Sequence, residues 1–168
     1  MSLIPPESLD DLVYYASHSP PGAIVEVGVY KGGSALRLAE LNRPLYLYDT
    51  FTGIPCAGPY DLGHKIGDFA DTSFEAVKAL IPSAHVIKGV FPLSLVAMPP
   101  VAFVHCDVDQ YESTLAVCNT MPAMMVRGGI ILFDDYGTPG CPGATQAVEE
   151  CFDRILILNW SKKALVII

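Results

Sequence analysis

The chain has 168 residues, which suits one domain with one sizeable core. Its formal net charge of −8 and the absence of any lysine or arginine cluster argue against a nucleic-acid partner and against binding to an anionic membrane surface. Hydrophobic residues make up 51% of the chain and the mean hydropathy is +0.39, which indicates a sheet that is buried on both faces.

The sequence shows no sign of a membrane protein or a secreted protein. Its apolar runs are too short for a transmembrane helix, and the opening residues MSLIPPESLDDL lack the basic and apolar regions of a signal peptide. Five cysteines are odd in number and show neither a CxxC motif nor zinc-ligand spacing. We therefore expect a cytoplasmic protein whose cysteines are free thiols.

Strand-like and helix-like segments alternate along the chain, which predicts an α/β fold with a parallel sheet. Five strands are predicted at 23–29, 44–50, 84–89, 101–109 and 128–135. Helices are predicted at 6–19, 32–42, 72–82, 92–98, 111–126 and 144–154. The segment 51–73 is rich in glycine, proline and aspartate, and irregular loops of this length are usually functional or mobile.

The C-terminal end follows a different pattern. Two strands at 155–160 and 163–168 are joined by so few residues that only an antiparallel hairpin can connect them. Five parallel βα units closed by such a hairpin predict the seven-stranded, Rossmann-like sheet of class I methyltransferases, with helices on both faces. A dinucleotide-binding Rossmann domain would have a sixth parallel strand instead.

The segment EVGVYKGGSA (26–35) follows the first strand, where doubly wound sheets bind their ligands. Gly28 permits a tight turn, and Gly32 and its neighbour Gly33 allow the backbone to approach a ligand closely. The spacing differs from the GxGxxG dinucleotide pattern. Glu26 suits a ligand with an ammonium or sulfonium group, such as S-adenosylmethionine. A glycine turn that serves only packing is the alternative.

Asp49 ends the second strand about 20 residues after the glycine turn, where an acidic residue commonly accepts hydrogen bonds from ribose hydroxyls. This role is shared by proteins that bind NAD and proteins that bind S-adenosylmethionine. Asp49 therefore predicts a nucleoside ligand without choosing between the two cofactors.

Four carboxylates follow the fourth and fifth strands: Asp107, Asp109, Asp134 and Asp135. The carboxyl ends of parallel strands meet at one edge of the sheet, so these acids should crowd together and repel one another. Mg²⁺ prefers such hard oxygen ligands, and it could activate a substrate hydroxyl whose proton a remaining carboxylate accepts. The residues alone leave the four roles interchangeable. Strand-end turns and helix caps are the alternative for any one of them.

Other polar residues give weaker signals. His105 lies inside the fourth strand and is expected to be a core histidine with satisfied hydrogen bonds. His64 and Lys65 lie in the long loop and could contact substrate, although exposure to solvent is the simpler expectation. Asp71 or Thr72 is predicted to cap the helix that follows, and Glu75 would complete a capping box with Thr72.

The motifs taken together resemble the macrocin O-methyltransferase family. The matching segments are, in order, IVEVGVYKGGSALRLAEL, LYLYDTFTGIP, GDFADTS, VIKGVFPLSL, VHCDVDQYESTL, GGIILFDDYG and CPGATQAVEE. They extend from about residue 22 to residue 155. Members of this family use S-adenosylmethionine and Mg²⁺ to methylate sugar hydroxyls of natural products.

The resemblance assigns roles that the residues alone left open. It implies that Asp107, Asp134 and Asp135 are metal ligands, that Asp109 is the general base, and that Asp107 also belongs to the catalytic and cofactor site. It places the following residues at cofactor-binding positions, the last three near the adenine end: Glu26, Gly28, Tyr30, Gly32, Ser34, Asp49, Asp68, Phe69 and Ser73.

We therefore expect one methyltransferase domain over residues 1–168, with S-adenosylmethionine and Mg²⁺ as cofactors and a small-molecule sugar or vicinal-diol hydroxyl as acceptor. Only about 20 residues precede the first strand, so we expect the N-terminal lid of the family to be short or absent. A homodimer is compatible with this assignment. The alternatives are a catechol-type O-methyltransferase, a cofactor-binding protein that has lost turnover, and a nicotinamide- or flavin-linked oxidoreductase.

Overall fold

A computed structural model describes residues 5–158, 161 and 163–168. The helices are α1 (Pro6–His18), α2 (Gly33–Ala39), α3 (Phe74–Leu80), α4 (Tyr111–Thr120) and α5 (Pro142–Cys151). The strands are β1 (Ala23–Val27), β2 (Leu45–Asp49), β3 (His85–Lys88), β4 (Val101–Cys106), β5 (Met125–Phe133), β6 (Leu156–Leu158) and β7 (Lys163–Ile167). No helix among these residues is long and apolar enough to cross a membrane.

The strands form one seven-stranded sheet in the order β3-β2-β1-β4-β5-β7-β6. The first five strands are parallel, and β7 runs antiparallel to both β5 and β6. The predicted fold class and the closing hairpin are thereby confirmed. The chain reverses its direction of winding between β1 and β4, and such switch points are where open α/β sheets bind ligands.

The sheet is buried on both faces because successive side chains of each central strand point to opposite sides. Every residue of β1 and of β4 is buried. On one face Ile24 packs with α1, α2 and α3 through residues such as Leu12 and Leu38. On the other face Val25 shares a cluster with Val117 of α4 and with α5. The predicted arrangement of helices on both faces is correct.

The short helix predicted at 92–98 is absent. The chain makes only isolated turns there, with the Ser94 N–H donating to the Val90 carbonyl at 3.0 Å. The apolar side chains of this segment form no buried face: Leu93, Leu95 and Val96 are 89%, 36% and 40% exposed. A helix needs a continuous apolar stripe to pack, and this segment lacks one.

Two helix boundaries also differ from the prediction. Ser73, not Asp71 or Thr72, caps α3, and its hydroxyl accepts from the Ala76 N–H at 3.1 Å. Thr72 instead donates its hydroxyl to the Tyr30 carbonyl. The helix predicted at 111–126 ends at Thr120 and passes through a 3₁₀ turn over Met121–Met124 into β5, because Pro122 offers no N–H to an α-helix.

Candidate active site

A cavity of about 320 Å³ opens at the carboxyl ends of β1, β2, β4 and β5. This volume is at the lower end of small-molecule sites, which are typically about 300–1,000 Å³. Its lining includes six of the predicted cofactor-site residues: Gly28, Tyr30, Ser34, Asp49, Phe69 and Asp107. Asp109, Asp134 and Asp135 line the same cavity. One edge of the sheet therefore collects both predicted motifs.

The glycine turn passes very close to β4. Gly28 has a φ of +89°, and a Cβ placed on it would lie 1.7 Å from the Asp107 carbonyl oxygen. The Asp107 N–H donates to the Val27 carbonyl at 2.9 Å, so the ladder between β1 and β4 continues to the rim of the cavity. Only glycine fits at this position, and the turn thereby holds Asp107 next to the predicted cofactor site.

Asp49 supports the glycine turn from β2. Its Oδ2 accepts the N–H groups of Val29 and Tyr30, each at 2.8 Å, and its Oδ1 accepts the Phe51 N–H at 2.7 Å. A carboxylate oxygen has more than one lone pair, so hydroxyl groups of a ligand can still donate to Asp49 from the cavity. Asp49 lies where a ribose-binding residue is expected, and it also fixes the backbone of the turn.

The segment 51–73 closes one side of the cavity. Tyr30 connects it to the glycine turn, because its hydroxyl donates to Asp71 Oδ1 at 2.7 Å and its ring packs against Phe69 at a centroid distance of 5.5 Å. Two backbone bonds between Ile54 and residues 67–68 hold the loop in shape, at 3.0 and 2.9 Å. This loop is a folded wall of the site.

Four predicted cofactor residues do not line the cavity in the described part of the chain: Glu26, Gly32, Asp68 and Ser73. Gly32 precedes α2, and Ser73 caps α3. Asp68 accepts the Lys65 N–H at 3.0 Å within the loop. Glu26 is fully buried, and its Oε1 lies 2.7 Å from His105 Nδ1. Contact between these four residues and a cofactor stays a prediction.

Three carboxylates meet at the ends of β4 and β5. Asp107, Asp134 and Asp135 have ligand oxygens within 4.8 Å of one another. Burial, followed by repulsion from Asp135, raises the pKa of Asp107 to about 8. Burial, followed by repulsion from Asp109, raises the pKa of Asp135 to about 7. This all-oxygen group fits Mg²⁺, since a divalent cation would relieve both the repulsion and the cost of burying negative charge.

Two basic side chains contact Asp134, and sequence reasoning gave neither of them a role in the site. Lys163 of β7 is buried and forms an ion pair with Asp134 Oδ1. His105 Nε2 lies 3.3 Å from the same oxygen. His105 was correctly expected in the core, but its bridge from Glu26 to Asp134 was not. Lys163 could have been suspected only because it begins an apolar strand that starts at the sheet edge where β5 ends.

Asp109 lies beside this trio and differs from it in its surroundings. Its backbone φ is +61°, and its N–H donates to Asp135 Oδ2 at 2.8 Å. Burial raises the pKa of Asp109, whereas the nearby His64 lowers it. A carboxylate that is easier to protonate than usual, at the wall of a cavity, has the character of a general base.

His64 contacts Asp109, a pairing that was not predicted. Its Nε2 lies 3.6 Å from Asp109 Oδ1, and its side chain is 30% exposed. The expectation of solvent exposure was wrong for His64 and correct for Lys65. This pairing could not be predicted from local pattern because it joins the long loop to a distant strand end.

Backbone strain is concentrated at this cavity. Three non-glycine residues of its lining have left-handed backbone: Tyr30, Phe69 and Asp109, with φ values of 52°, 63° and 61°. Each such residue costs roughly 1–2 kcal/mol. Strain of this kind persists where the surrounding structure fixes it, and it is common at functional sites.

A family model of the macrocin O-methyltransferases (TylF) matches residues 10–153. A tetracenomycin C 4′-O-methyltransferase from Streptomyces olivaceus, which acts on a dimethoxyrhamnosyl derivative, is 26% identical over 82% of this chain and 63% of its own length. Demethyldecarbamoylnovobiocin O-methyltransferase from Streptomyces niveus is 29% identical over 77% of this chain and 58% of its own. The chain thus spans about three fifths of the length of these curated relatives.

Two solved structures show the same fold. A calicheamicin methyltransferase superposes with a TM-score of 0.76 at 23% identity, over 96% of this chain and 77% of its own. The O-methyltransferase NovP superposes with a TM-score of 0.76 at 21% identity, over 95% and 78%. The family model covers far more than half of the chain and includes the glycine turn and all four carboxylates. The chain therefore belongs to the macrocin O-methyltransferase family.

Proposed function

We propose that this chain is an S-adenosylmethionine-dependent, Mg²⁺-assisted O-methyltransferase that acts on a hydroxyl of a sugar or another vicinal-diol small molecule. The observation that carries the proposal is the placement of the Asp107, Asp134 and Asp135 trio and of Asp109 in the same cavity as the glycine turn. The tetracenomycin and novobiocin relatives are named for O-methyl transfer to natural products, which supports this acceptor class.

The cofactor would bind along the glycine turn. Asp49 would accept hydrogen bonds from ribose hydroxyls, and Phe69 would supply an apolar surface on the loop wall. When bound, S-adenosylmethionine supplies a methyl group on a positively charged sulfur. Because the chain has a formal net charge of −8 and several carboxylates line this cavity, the electrostatic environment suits a cationic ligand better than a pyrophosphate.

The trio of Asp107, Asp134 and Asp135 would hold Mg²⁺ through carboxylate oxygens. When bound, Mg²⁺ supplies Lewis acidity that lowers the pKa of an acceptor hydroxyl. His105 and Lys163 would orient Asp134 by their contacts with Oδ1. Outer contacts of this kind fix the geometry of metal ligands.

Asp109 would accept the proton of the acceptor hydroxyl. The left-handed backbone and the hydrogen bond to Asp135 hold it next to the trio without making it part of the trio. The folded segment 51–73 would exclude water and align the hydroxyl oxygen with the methyl group. Such alignment can supply roughly 7–11 kcal/mol of the barrier.

The first test is isothermal titration of the purified chain with S-adenosylhomocysteine and with NADH, each with and without Mg²⁺. We expect S-adenosylhomocysteine alone to bind, in the micromolar range or roughly −8 kcal/mol. Methyl transfer is then measured by mass spectrometry on sugar and catechol acceptors. Binding of NADH without binding of S-adenosylhomocysteine would contradict the proposed cofactor, and binding without transfer to any acceptor would indicate a protein that has lost turnover.

A further inference from the structure

A second group of potential metal ligands includes Asp109, whose N–H donates to Asp135 of the aspartate trio. His64, Asp109 and Cys141 each place one ligand atom within 4.8 Å of the others. His64 Nε2 lies 3.6 Å from Asp109 Oδ1, and Cys141 Sγ lies 3.5 Å from the same oxygen. We call this group the His–Asp–Cys trio.

The two distances to Asp109 match those of a tetrahedral metal site, and His64 and Cys141 lie within 4.8 Å of each other. Ligand atoms bound at 2.0–2.3 Å to a tetrahedral zinc ion lie roughly 3.3–3.8 Å from one another. The distances from Asp109 Oδ1 to His64 Nε2 and to Cys141 Sγ, 3.6 and 3.5 Å, fall in this interval. An ion could therefore bind all three side chains after only small movements.

The chemistry of the His–Asp–Cys trio differs from that of the aspartate trio. Nitrogen, oxygen and sulfur ligands favour a soft or borderline cation such as Zn²⁺ or Co²⁺, whereas Mg²⁺ selects oxygen ligands alone. The two neighbouring sites would therefore prefer different cations, Mg²⁺ at the aspartate trio and a zinc-class cation at the His–Asp–Cys trio. Neither site shares a ligand with the other, although the Asp109 N–H donates to Asp135.

Backbone packing brings the three ligands together. Cys141 directly precedes α5, and its N–H donates to the Thr138 carbonyl at 2.9 Å. The loop that carries His64 packs directly against this segment, because a Cβ on Gly63 would lie 2.2 Å from the Gly140 carbonyl oxygen. The site is thus built from three distant parts of the chain that the fold holds in contact.

The His–Asp–Cys trio is buried on one side and accessible on the other. Cys141 is 2% exposed, whereas the side chains of His64 and Asp109 are 30% and 20% exposed. His64 Nδ1 faces Asp68 Oδ2 at 3.8 Å, a contact that favours a proton on Nδ1 and leaves Nε2 free to bind a metal. An ion could enter from the solvent side and keep a water as its fourth ligand.

We propose that His64, Asp109 and Cys141 form a binding site for a soft divalent cation of the zinc class, separate from the proposed Mg²⁺ site. On binding, the S–H bond of Cys141 breaks, its proton goes to the buffer and a sulfur–metal bond forms. His64 contributes its Nε2 lone pair and Asp109 its carboxylate, with no change of oxidation state. Insofar as Asp109 is the proposed general base, the bound ion removes it from catalysis.

The test uses Co²⁺ as a spectroscopic probe on the purified full chain. We expect an absorption band from charge transfer between thiolate and cobalt, which Zn²⁺ removes by competition and excess Mg²⁺ leaves in place. Cys141→Ser should abolish the band. His64→Gln should weaken Zn²⁺ binding roughly 100-fold, because even the loss of a residue that only contacts a metal ligand lowers metal affinity 10–100-fold. Cys151→Ser is the matched control among the free thiols and should keep the band.

The absence of the cobalt band in the unaltered chain, or its persistence in Cys141→Ser, would overturn the proposed site. His64 lies on a surface loop, so its variant keeps the test valid if Cys141→Ser does not fold. The titration uses neither cofactor nor acceptor and is therefore independent of the proposed function. Zinc that binds to the His–Asp–Cys trio without inhibiting methyl transfer would contradict the role of Asp109 as base and leave the metal site standing.

Discussion

Asp109 is the residue on which the proposed chemistry and the second metal site both depend. Its carboxylate belongs to the His–Asp–Cys trio, its N–H donates to Asp135 of the aspartate trio, and its backbone conformation is one that few non-glycine residues adopt. Replacement by glycine would relax the strain but remove the carboxylate. Replacement by asparagine keeps the shape and the tolerance of left-handed backbone, and it removes only the negative charge.

We expect Asp109→Asn to lower the turnover number by about 10²–10⁴-fold, because an amide cannot accept the proton of the acceptor hydroxyl. The affinity for S-adenosylhomocysteine should change by less than about twofold, since the glycine turn and Asp49 are intact. Kinetics and isothermal titration measure the two quantities. Glu112→Gln, a change of the same kind at an exposed position of α4, is the control and should leave both unchanged. Equal turnover in Asp109→Asn would rule out its role as base.

The Mg²⁺-free protein should lose stability as the pH rises. Burial raises the pKa of Asp107 to about 8 and that of Asp135 to about 7, both from 3.8. At pH values between 3.8 and these raised pKa values, the folded state binds more protons than the unfolded state. The free energy of unfolding therefore falls as the pH increases. We expect the melting temperature in EDTA to decrease from about pH 5 to about pH 8, and Mg²⁺ to reverse the decrease at the upper end.

Asp107→Asn is the informative variant for this pH dependence, because its amide stays neutral at every pH. Its melting temperature in EDTA should depend less on pH than that of the unaltered chain and should exceed it near pH 8. Differential scanning calorimetry across the pH series measures both. A melting temperature of the unaltered chain that is independent of pH would contradict the electrostatic account of the aspartate trio.

The sequence was a good guide to side chains at strand ends and a poor guide to contacts between distant segments. The four aspartates were predicted because each follows an apolar strand, and parallel strands bring their carboxyl ends to one edge. The contacts of His64 with Asp109, and of Lys163 with Asp134, join residues far apart in the chain. Local pattern carries no information about such pairs, so only the folded backbone reveals them.

At the scale of elements, the decisive feature is the turn between β1 and α2. It must reverse the chain next to Asp107, hold the backbone N–H groups of Val29 and Tyr30 against Asp49, and leave room for a ligand. These demands conflict for any residue with a Cβ at position 28. The turn therefore depends on glycine for a steric reason as well as a conformational one.

Gly28→Ala and Gly67→Ala separate these two reasons. The residues have nearly equal φ, +89° and +88°, but among the described residues, chain neighbours aside, no atom lies within 4 Å of a Cβ on Gly67. We expect Gly67→Ala to cost about 1–2 kcal/mol from left-handed backbone alone. Gly28→Ala, which adds a clash with the Asp107 carbonyl, should cost more than about 4 kcal/mol and weaken binding of S-adenosylhomocysteine. Urea unfolding measures the loss of stability in both variants. Equal losses would show that the backbone around position 28 moves enough to relieve the clash.

Elements with a strong apolar pattern could be predicted, and elements with a weak one could not. The buried strands β1 and β4 and the hairpin of β6 and β7 followed from apolar runs and a short connection. The helix expected at 92–98 does not form, and its apolar residues Leu93, Leu95 and Val96 are exposed and bury no common face. Propensity alone does not form a helix when the apolar residues do not share one face.

At the scale of the whole molecule, one arginine joins α1 to the amino-terminal edge of the sheet. Arg43 donates to the carbonyls of Ala16, Gly22 and Pro20 at 2.9, 3.0 and 2.7 Å, and to Ser19 Oγ at 2.8 Å. These bonds hold the end of α1 and the start of β1 against the connection between α2 and β2. They lie at the opposite end of the sheet from the cavity.

We expect Arg43→Lys to destabilise the fold by about 2–4 kcal/mol, because an ammonium group cannot reproduce the forked donors and hydrogen bonds from charged groups contribute about 1.5–3 kcal/mol each. Affinity for S-adenosylhomocysteine should stay the same in the folded protein. Arg37→Lys is the matched control: its ion pairs with Asp10 and Glu40, at 3.7 and 3.4 Å, are exposed and should contribute less than about 1 kcal/mol. Chemical denaturation measures the stability of both variants. Equal losses of stability in Arg43→Lys and Arg37→Lys would argue against this role of Arg43.

The contact between Gly28 and Asp107 also has a consequence for how the substrate range could diversify. Because β1 and β4 are neighbours in the sheet, the separation of the cofactor turn from Asp107 is set by one strand spacing, about 4.8 Å. No change of loop length can alter that distance. Exchange of the segment 51–73 between relatives would thus reshape one wall of the cavity while the glycine turn and Asp107 keep their spacing, which makes this segment the natural unit for a library of chimeric enzymes.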